Sequence, residues 1–287
     1  MDFIPSTYRE LLKTLTDQGF SFLTFEEFLK SAVEKKIVLR HDVDALPANS
    51  LQFARIEAET GIKGSYYFRI VPGSFDEKII REIALLGHEV GYHYEDVSLA
   101  FDLQDRKTAR LQDNGHQEKE LVDIAIESFN RNLTKLRELV PVKTICMHGS
   151  PMSKWDSRLL WKYYDYHDFG IIGEPYFDVD FNEVLYLTDT GRRWDGEAVS
   201  IRDKAQGSGR RVQDPVSRAP CPMPFPRFHT TFDIIKAAKE GSLPDKIMMT
   251  FHPQRWTDMP FPWVKELVWQ NTKNVVKYFL IKVRNKS

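Results

Sequence analysis

The segment Ile37-Val-Leu-Arg-His-Asp-Val-Asp44 is a short apolar run of β-forming residues that ends in polar side chains. Because side chains alternate along a strand, Arg40, Asp42 and Asp44 are expected to share one face. The two carboxylates would then lie roughly 7 Å apart, from a rise of about 3.3 Å per residue. At that spacing one carboxylate can bind a metal ion while the other accepts a proton. The simpler alternative is a strand-end turn, with an aspartate capping the helix that follows.

Strand-like and helical patterns alternate after this segment, and two amphipathic helices are predicted before it, within Ser6–Lys36. Thr24 and Glu27 have the spacing of a capping box at the start of the second helix. The strand-like runs are Ser65–Ile70, His88–His93, Val142–Met147, Glu183–Leu187 and Lys246–Phe251. The helical patterns are Ala48–Thr60, Asp76–Leu86, Glu118–Leu139, Trp155–Tyr164 and Pro262–Val283. Such alternation is typical of a parallel sheet, either open or closed into a barrel.

One segment, Gly191–Arg227, interrupts this alternation with many arginines, glycines and prolines. Connections of this length without regular structure are uncommon inside a domain and are often functional. We therefore predict a single domain over residues 1–287, with the N-terminal helices in 1–36 and an insertion at about 188–230 near the functional site.

The composition argues against several classes of protein. The 40 basic and 41 acidic residues give a net charge of -1, which disfavours a protein that coats nucleic acid. No apolar run approaches the roughly 18 residues of a membrane span. The first residues do not form the charged segment followed by an apolar one that marks a signal peptide. The two cysteines, Cys146 and Cys221, are too few for a disulfide framework. A cytoplasmic protein is therefore expected.

Polar residues also mark the end of the predicted strand His88–His93, within Gly87-His-Glu-Val-Gly-Tyr-His-Tyr-Glu95. Such strand ends matter because the carboxyl ends of parallel strands host the active sites of β/α folds. His88 and His93 are five residues apart, so an extended strand directs them to opposite faces. His93, nearer the strand end, is the better candidate for a metal ligand, with Glu95 on its side. His88 is expected to have a structural role.

His148 and His252 end two further predicted strands, in Cys146-Met-His-Gly-Ser-Pro151 and Met248-Met-Thr-Phe-His-Pro-Gln-Arg-Trp256. Beside an Asp–His metal site, His148 becomes a candidate for a further ligand, although a lone histidine there is more often structural. Cys146 shares that strand, where a single cysteine is more often a core residue. His252 suits a general acid because histidine titrates near neutrality, and the alternative is a cap in a turn.

Taken in this order, the four segments resemble the polysaccharide deacetylase (NodB-homology) family over about Ile37–Trp256. The resemblance implies a distorted (β/α) barrel that removes acetyl groups from N-acetylated sugars with a divalent metal. It also implies that Asp42 is the catalytic base, that His93 is the first metal histidine and that His252 is the catalytic acid. The family's metal-binding aspartate directly follows the base, whereas here Asp44 would serve, as in members with an Asp-x-Asp arrangement.

The sequence departs from the family's pattern at two places. The family's second metal histidine lies four residues after the first, where this chain has Val97. Either His148 or Glu95 takes its place, or metal binding is weak or lost. The family's Arg-Pro-Pro-Tyr-Gly motif, whose arginine orients the base, is replaced by His148-Gly-Ser-Pro, so Arg40 is the candidate for that role. The full set of motifs resembles a divergent cytoplasmic branch often associated with surface-polysaccharide synthesis.

With this resemblance, the sequence predicts a metal-dependent hydrolase that deacetylates an N-acetylated sugar, a nucleotide-sugar or an oligosaccharide. Zn²⁺ is the expected metal, with Ni, Co, Fe or Mn as alternatives, and its expected ligands are Asp44, His93 and His148. The candidate substrate contacts are Arg40, Glu95, Asp189, Arg192 and Trp194. Asp189 would bind sugar hydroxyls, Trp194 would stack on a sugar face, and Arg192 would bind a phosphate or carboxylate. The alternative for these last residues is a solvated, charged loop.

Three other functions are weighed against this one. The first is a carbohydrate-binding relative without activity, which the valine in place of the second histidine favours. The second is a metal hydrolase that acts on another bond, such as a phosphoester, although a two-metal site needs more ligands than these motifs offer. The third is a nucleic-acid binder, which the net charge disfavours.

Overall fold

The computed structural model describes residues 1–105, 116–149, 155–194, 227–270 and 272, and its strands form one parallel sheet. The strands are β1 (Ser21–Leu23), β2 (Lys36–Val43), β3 (Ser65–Phe68), β4 (Glu89–Tyr94), β5 (Ile145–Met147), β6 (Leu185–Thr188) and β7 (Lys246–Phe251). Their order is β5-β4-β3-β2-β7-β6, and β1 pairs with β2 off this path. The sheet curls into a half-barrel, which is compatible with a distorted (β/α) barrel.

A helix lies in each connection between consecutive strands. The α-helices are α1 (Pro5–Asp17), α2 (Phe25–Lys30), α3 (Pro47–Glu59), α4 (Glu77–Leu85), α5 (Asp96–Asp105), α6 (His116–Arg137), α7 (Pro175–Asp178), α8 (Thr231–Lys239) and α9 (260–270). Short 3₁₀ helices cover Ser157–Lys162, Tyr166–Phe169 and Pro253–Arg255. Thr24 and Glu27 form the predicted capping box of α2, which satisfies amides that the first helical turn leaves unpaired.

The predicted strand around Asp42 is the central strand of the sheet. β2 pairs with β7 over residues 36–41, with β1 over 36–38 and with β3 over 40–43, so β1 and β3 follow each other along one edge. Every residue of β2 is buried. A strand buried on both faces is typical of a parallel sheet covered by helices, and it accounts for the apolar start of this segment.

The two faces of the half-barrel bury different side chains. The outer face packs against the helices in a large apolar core that includes Leu39, Tyr66, Tyr92 and Phe251. The inner face holds a smaller cluster, made of Phe25, Phe28, Val38, Tyr67, Cys146, Val179, Val184 and Met248. Along each strand the inner face becomes polar toward the carboxyl end, where the candidate functional residues lie.

The short helix α2 closes the inner face at the amino ends of the strands. The backbone amide of Phe25 donates to the hydroxyl of Ser65 over 2.7 Å, and that of Glu26 donates to the carboxylate of Glu89 over 3.1 Å. Ser65 and Glu89 are the first residues of β3 and β4. The inner face is therefore filled at one end, which leaves the opposite end for chemistry.

Several elements differ from the sequence prediction. The run 142–147 is a strand only over β5, and 155–164 contains a 3₁₀ helix in place of an α-helix. β1, α5 and α8 are not predicted, because β1 is only three residues long and α5 has little amphipathic pattern. For α8 the sequence does contain a signal, since Thr230 and Asp233 form a capping box at its start. Residues 195–226, which make up most of the predicted insertion, lie outside the described residues. The predicted closing helix, Pro262–Val283, is described only over α9 and at residue 272. Within the part of the chain that the structure describes, none of the helices combines the length and apolarity needed to cross a membrane.

Candidate metal centre

Asp42, near the end of β2, is held by an arginine of the same strand. The Nε and Nη2 atoms of Arg40 donate to Oδ1 and Oδ2 of Asp42 over 2.8 and 2.6 Å, and both side chains are buried. Burial alone raises the pKa of Asp42, but the charges of Arg40 and His93 outweigh it and bring the pKa to about 2. Asp42 is therefore ionised at neutral pH, as a general base must be.

His93 lies on β4, two strands away from Asp42 in the sheet. Its Nδ1 atom is 2.9 Å from the carbonyl oxygen of Cys146. Because a carbonyl oxygen only accepts, Nδ1 carries the proton and Nε2 is left to bind a cation. Nε2 lies 3.7 Å from Oδ2 of Asp42 and 3.6 Å from Oδ1 of Asp44. Burial alone lowers the pKa of His93, but these two carboxylates outweigh it and raise the pKa, so the space between them attracts positive charge.

Asp44 supplies a carboxylate oxygen without a hydrogen-bond partner. Its Oδ1 atom is buried and accepts no hydrogen bond, while Oδ2 accepts one from Nε2 of Gln254 over 3.2 Å. Burial alone raises the pKa of Asp44, but the contact with His93 and the charges of the neighbouring histidines hold the pKa well below its usual range. A buried, ionised oxygen without a donor is costly unless a cation binds to it.

The next side chain of this group comes from the residue after β5. Nε2 of His148 lies 3.4 Å from Oδ1 of Asp44, and its Nδ1 lies 3.0 Å from Oε2 of Glu95. Glu95 also accepts hydrogen bonds from Nε and Nη2 of Arg69, over 2.7 and 2.9 Å. Burial alone raises the pKa of Glu95, but His148 and Arg69 outweigh it and lower the pKa. Of the two replacements that the sequence offers for the missing histidine, His148 is the one brought to Asp44, and Glu95 lies at its opposite ring nitrogen.

Val97, at the position of the family's second histidine, lies in the apolar core. β4 ends at Tyr94 and α5 begins at Asp96, so the chain has entered a helix before it reaches Val97. Val97 is fully buried in the outer core. His148 is within reach instead because β4 and β5 pair in a register that sets His93 opposite Cys146.

Asp44, His93 and His148 form a group whose ligand atoms all lie within 4.8 Å of one another. Two imidazoles and a carboxylate are a common ligand set of catalytic Zn²⁺. Nδ1 of His93 is hydrogen-bonded to a carbonyl oxygen, and Nδ1 of His148 lies 3.0 Å from a carboxylate oxygen of Glu95. Asp42, His93 and Cys146 form a second group that meets the same distance. It fits a metal less well, because both oxygens of Asp42 already accept hydrogen bonds and burial raises the pKa of the Cys146 thiol.

His252, the residue after β7, is paired with a buried carboxylate. Its Nδ1 lies 2.5 Å from Oδ1 of Asp189, and its backbone amide donates to Oδ2 of Asp189 over 2.9 Å. The indole of Trp256 donates to the same Oδ2 over 2.7 Å. Burial alone raises the pKa of Asp189, but the charge of His252 outweighs it and lowers the pKa. An ionised Asp189 therefore fixes the ring of His252, whose Nε2 lies 3.9 Å from Oδ2 of Asp44.

For the metal-dependent hydrolase that the sequence predicts, replacing Asp189 with asparagine is expected to slow hydrolysis by about one to two orders of magnitude while the metal content stays unchanged. The amide would still fill the space, but it would no longer stabilise the protonated ring or fix its tautomer. The measurement is steady-state turnover beside elemental analysis of the same preparation. Asp165→Asn is the matched control, because Asp165 lies 2.6 Å from Nδ1 of His167 in an exposed pair. Equal turnover in all three proteins would mean that Asp189 does not serve His252.

Asp189 itself is a correction to the sequence-based expectation of a sugar contact. It is fully buried, and its two oxygens accept the bonds from His252 and Trp256 described above. Arg40 and Glu95, also expected at the substrate, are 2% and 6% exposed and bind side chains of the centre. These three side chains are thus buried and bonded to other side chains of the centre, which leaves them poorly placed to touch a sugar.

Arg192 and Trp194 also lie elsewhere than the sequence suggests. Trp194 is 3% exposed and donates its indole N–H to Thr231 over 2.9 Å. Arg192 is 6% exposed, and its Nη1 donates to the carbonyl of Trp263 over 3.0 Å. The chain after β6 turns into the apolar core at this point, whereas its composition favours a solvated loop. The indole of Trp194 is therefore packed in the core, whereas Nε and Nη2 of Arg192 are buried without a hydrogen-bond partner among the described residues.

Arg69 and Gln254 belong to the centre but are not among the residues expected from the sequence. Arg69 directly follows β3, and Gln254 lies two residues after His252. Both therefore sit at the same carboxyl edge of the sheet as the expected ligands. Their position after a strand is the signal that could have found them.

Comparison of this chain with family models, with curated proteins and with solved structures finds no match. A function for this chain can therefore be argued only from the geometry of the centre.

Proposed function

We propose that this protein is a metal-dependent amide hydrolase that removes the acetyl group of an N-acetylated sugar, on a barrel of the deacetylase type. The observation that carries the proposal is the convergence of five side chains at the carboxyl ends of four strands. Asp44, His93 and His148 can hold a metal, while Asp42 and His252 lie within 4 Å of atoms of that group. Base, acid and ligands are then all present in one place.

A divalent metal held by Asp44, His93 and His148 would polarise the acetyl carbonyl and lower the pKa of water to about 7. Asp42 would take the proton of the attacking water, since it is ionised and its carboxylate faces His93. Arg40 fixes both oxygens of Asp42, so the base keeps one orientation throughout the reaction. Arg40 would thus take the role of the arginine in the family's Arg-Pro-Pro-Tyr-Gly motif.

His252 would give a proton to the nitrogen as the carbon–nitrogen bond breaks. Its Nδ1 is held by Asp189, so Nε2 is the atom directed toward Asp44 and the reacting groups. The ionised Asp189 stabilises the protonated ring that must form before this transfer. Two different side chains thus move protons, one from the water and one to the leaving amine.

The proposal predicts about one divalent metal ion per chain, and acetate release from N-acetyl sugars or nucleotide-sugars. The double variant Asp44→Ala, His93→Ala is expected to lose both, because it removes two of the three ligands. Elemental analysis and an acetate assay measure the two results on one preparation. The matched control is Asp165→Ala, His167→Ala, which removes an aspartate and a histidine from an exposed pair.

Two outcomes would contradict the proposal. If the protein takes up no metal, even from excess Zn²⁺ or Co²⁺, the alternative of a carbohydrate-binding relative without activity would be favoured. The loss of metal binding would then be explained by the valine that replaces the family's second histidine. A double variant that keeps its metal would mean that the ion binds somewhere other than this group.

A further inference from the structure

The loop after β3 supports the loop that carries Asp44. The hydroxyl of Ser74 donates to the carbonyl of Val43 and accepts the backbone amide of Arg69, the latter over 3.2 Å. The carbonyl of Gly73 accepts the backbone amide of Leu46 over 3.1 Å. The two loops are thus joined on both sides of Asp44, by a side-chain hydrogen bond at Val43 and a main-chain hydrogen bond at Leu46.

Leu46 shows how firmly the Asp44 loop is held. Its φ is 50° and its ψ is 62°, which is the left-handed conformation that a leucine rarely adopts. The side chain is 59% exposed, so packing does not impose this conformation. The bond to Gly73 and the start of α3 at Pro47 are the contacts that fix it. Strain of this kind persists only where the surroundings determine the backbone.

The guanidinium of Arg69 contacts one of the three proposed ligands directly and is linked to a second through Glu95. Through Nε and Nη2 it binds Glu95, which lies 3.0 Å from Nδ1 of His148. Through Nη1 it donates to the main-chain carbonyl of Asp44 over 3.4 Å. A planar guanidinium can make these three bonds at once, whereas an ammonium group cannot match a carboxylate in the same bidentate way.

We propose that Arg69 is the positioning residue of the metal centre, fixing His148 through Glu95 and Asp44 through its carbonyl. The inference rests on the metal centre of the proposed function. Without Arg69, Glu95 loses its bidentate partner and can move away from His148, and the Asp44 loop loses one of its ties. The arginine therefore sets the metal affinity without touching the metal.

The test is the affinity for Co²⁺ and for Zn²⁺, measured by competition with a chelator, together with the melting temperature of the metal-free protein. Arg69→Ala and Glu95→Ala are each expected to weaken metal binding by about 10- to 100-fold. Arg69→Lys should keep the charge and still bind metal more weakly than the unaltered protein. Arg55→Ala is the control, because Arg55 forms an exposed ion pair with Glu82, and its metal affinity should not change.

A double-mutant cycle separates positioning from a general effect on the fold. In a His148→Ala background, Glu95→Ala should weaken metal binding no further, because its route to the metal is already absent. Arg69→Ala should still weaken it there, through Asp44. Glu95→Gln keeps an acceptor for Nδ1 of His148 and should lose less affinity than Glu95→Ala.

The outcomes distinguish this inference from the proposed function. If Arg69→Ala, or Arg69→Lys should the alanine variant unfold, binds metal as tightly as the unaltered protein, the inference is wrong and the metal centre stands. If Glu95→Ala weakens binding equally with and without His148, Glu95 does not act through that histidine and the inference is also wrong. If the unaltered protein binds no metal, the proposed function itself fails.

Discussion

Asp42→Asn is expected to keep its metal and to lose about two to four orders of magnitude in turnover. Asparagine has the shape of aspartate but cannot accept the proton of the attacking water. None of the proposed ligands is altered, because the group of Asp44, His93 and His148 does not include Asp42. Acetate release and elemental analysis on the same preparation would show whether the two properties separate.

The control for this variant is Asp76→Asn. Asp76 caps α4 through the amides of Lys78 and Ile79, and asparagine is an equally good cap. Turnover should therefore be unchanged. Normal turnover in Asp42→Asn would mean that another group is the base, and loss of the metal would mean that Asp42 is a ligand.

Glu57→Ala is expected to lower the free energy of unfolding by about 3 to 5 kcal/mol. Glu57 is fully buried in α3, where its Oε1 accepts from the hydroxyl of Tyr8 over 2.5 Å and lies 2.8 Å from Nε2 of His41. Its Oε2 lies 3.4 Å from Nδ1 of His88. Alanine would leave the hydroxyl of Tyr8 and the ring of His41 without their carboxylate partner and would leave a cavity. Urea denaturation with a linear extrapolation measures the change.

Glu59→Ala is the matched control, two residues along the same helix. Glu59 forms an exposed ion pair with Arg9, in which the side chains are 58% and 48% exposed. Exposed pairs contribute about 0 to 1 kcal/mol, so this variant should unfold close to the unaltered protein. If the free energy of unfolding fell equally in the two variants, the buried contacts of Glu57 would not contribute to stability.

The parts of the centre that depend on short-range pattern could be predicted from the sequence. Arg40 and Asp42 lie on one face because strand side chains alternate. Asp44 lies just beyond β2, where its backbone amide turns back to the carbonyl of Asp42, and its carboxylate reaches the same nitrogen of His93 as Asp42 does. His88, five residues before His93, takes the structural role expected of it, accepting the amide of Gly64 at Nδ1. The parallel α/β sheet is confirmed for the same reason, since its long strands and helices have clear periods.

The parts that depend on neighbouring strands could not be predicted. Whether His148 or Glu95 reaches Asp44 is set by the register between β4 and β5, which no local pattern records. The role of Asp189 depends on the return of β7 beside β6, which puts His252 against it. Arg192 and Trp194 look like loop residues in composition, and only the path of the chain after β6 buries them.

The pairing of β2 with β7 has a consequence for how the molecule assembles. Residues 36–41 pair with residues 246–251, so the first and last strands that carry candidate residues are joined only after most of the chain has been synthesised. Neither half of the polypeptide contains the complete constellation, and contacts this remote in sequence form late and slowly. A metal would therefore bind only after β2 and β7 have paired and the sheet is complete. Its binding free energy would stabilise the folded protein and not a partly folded one.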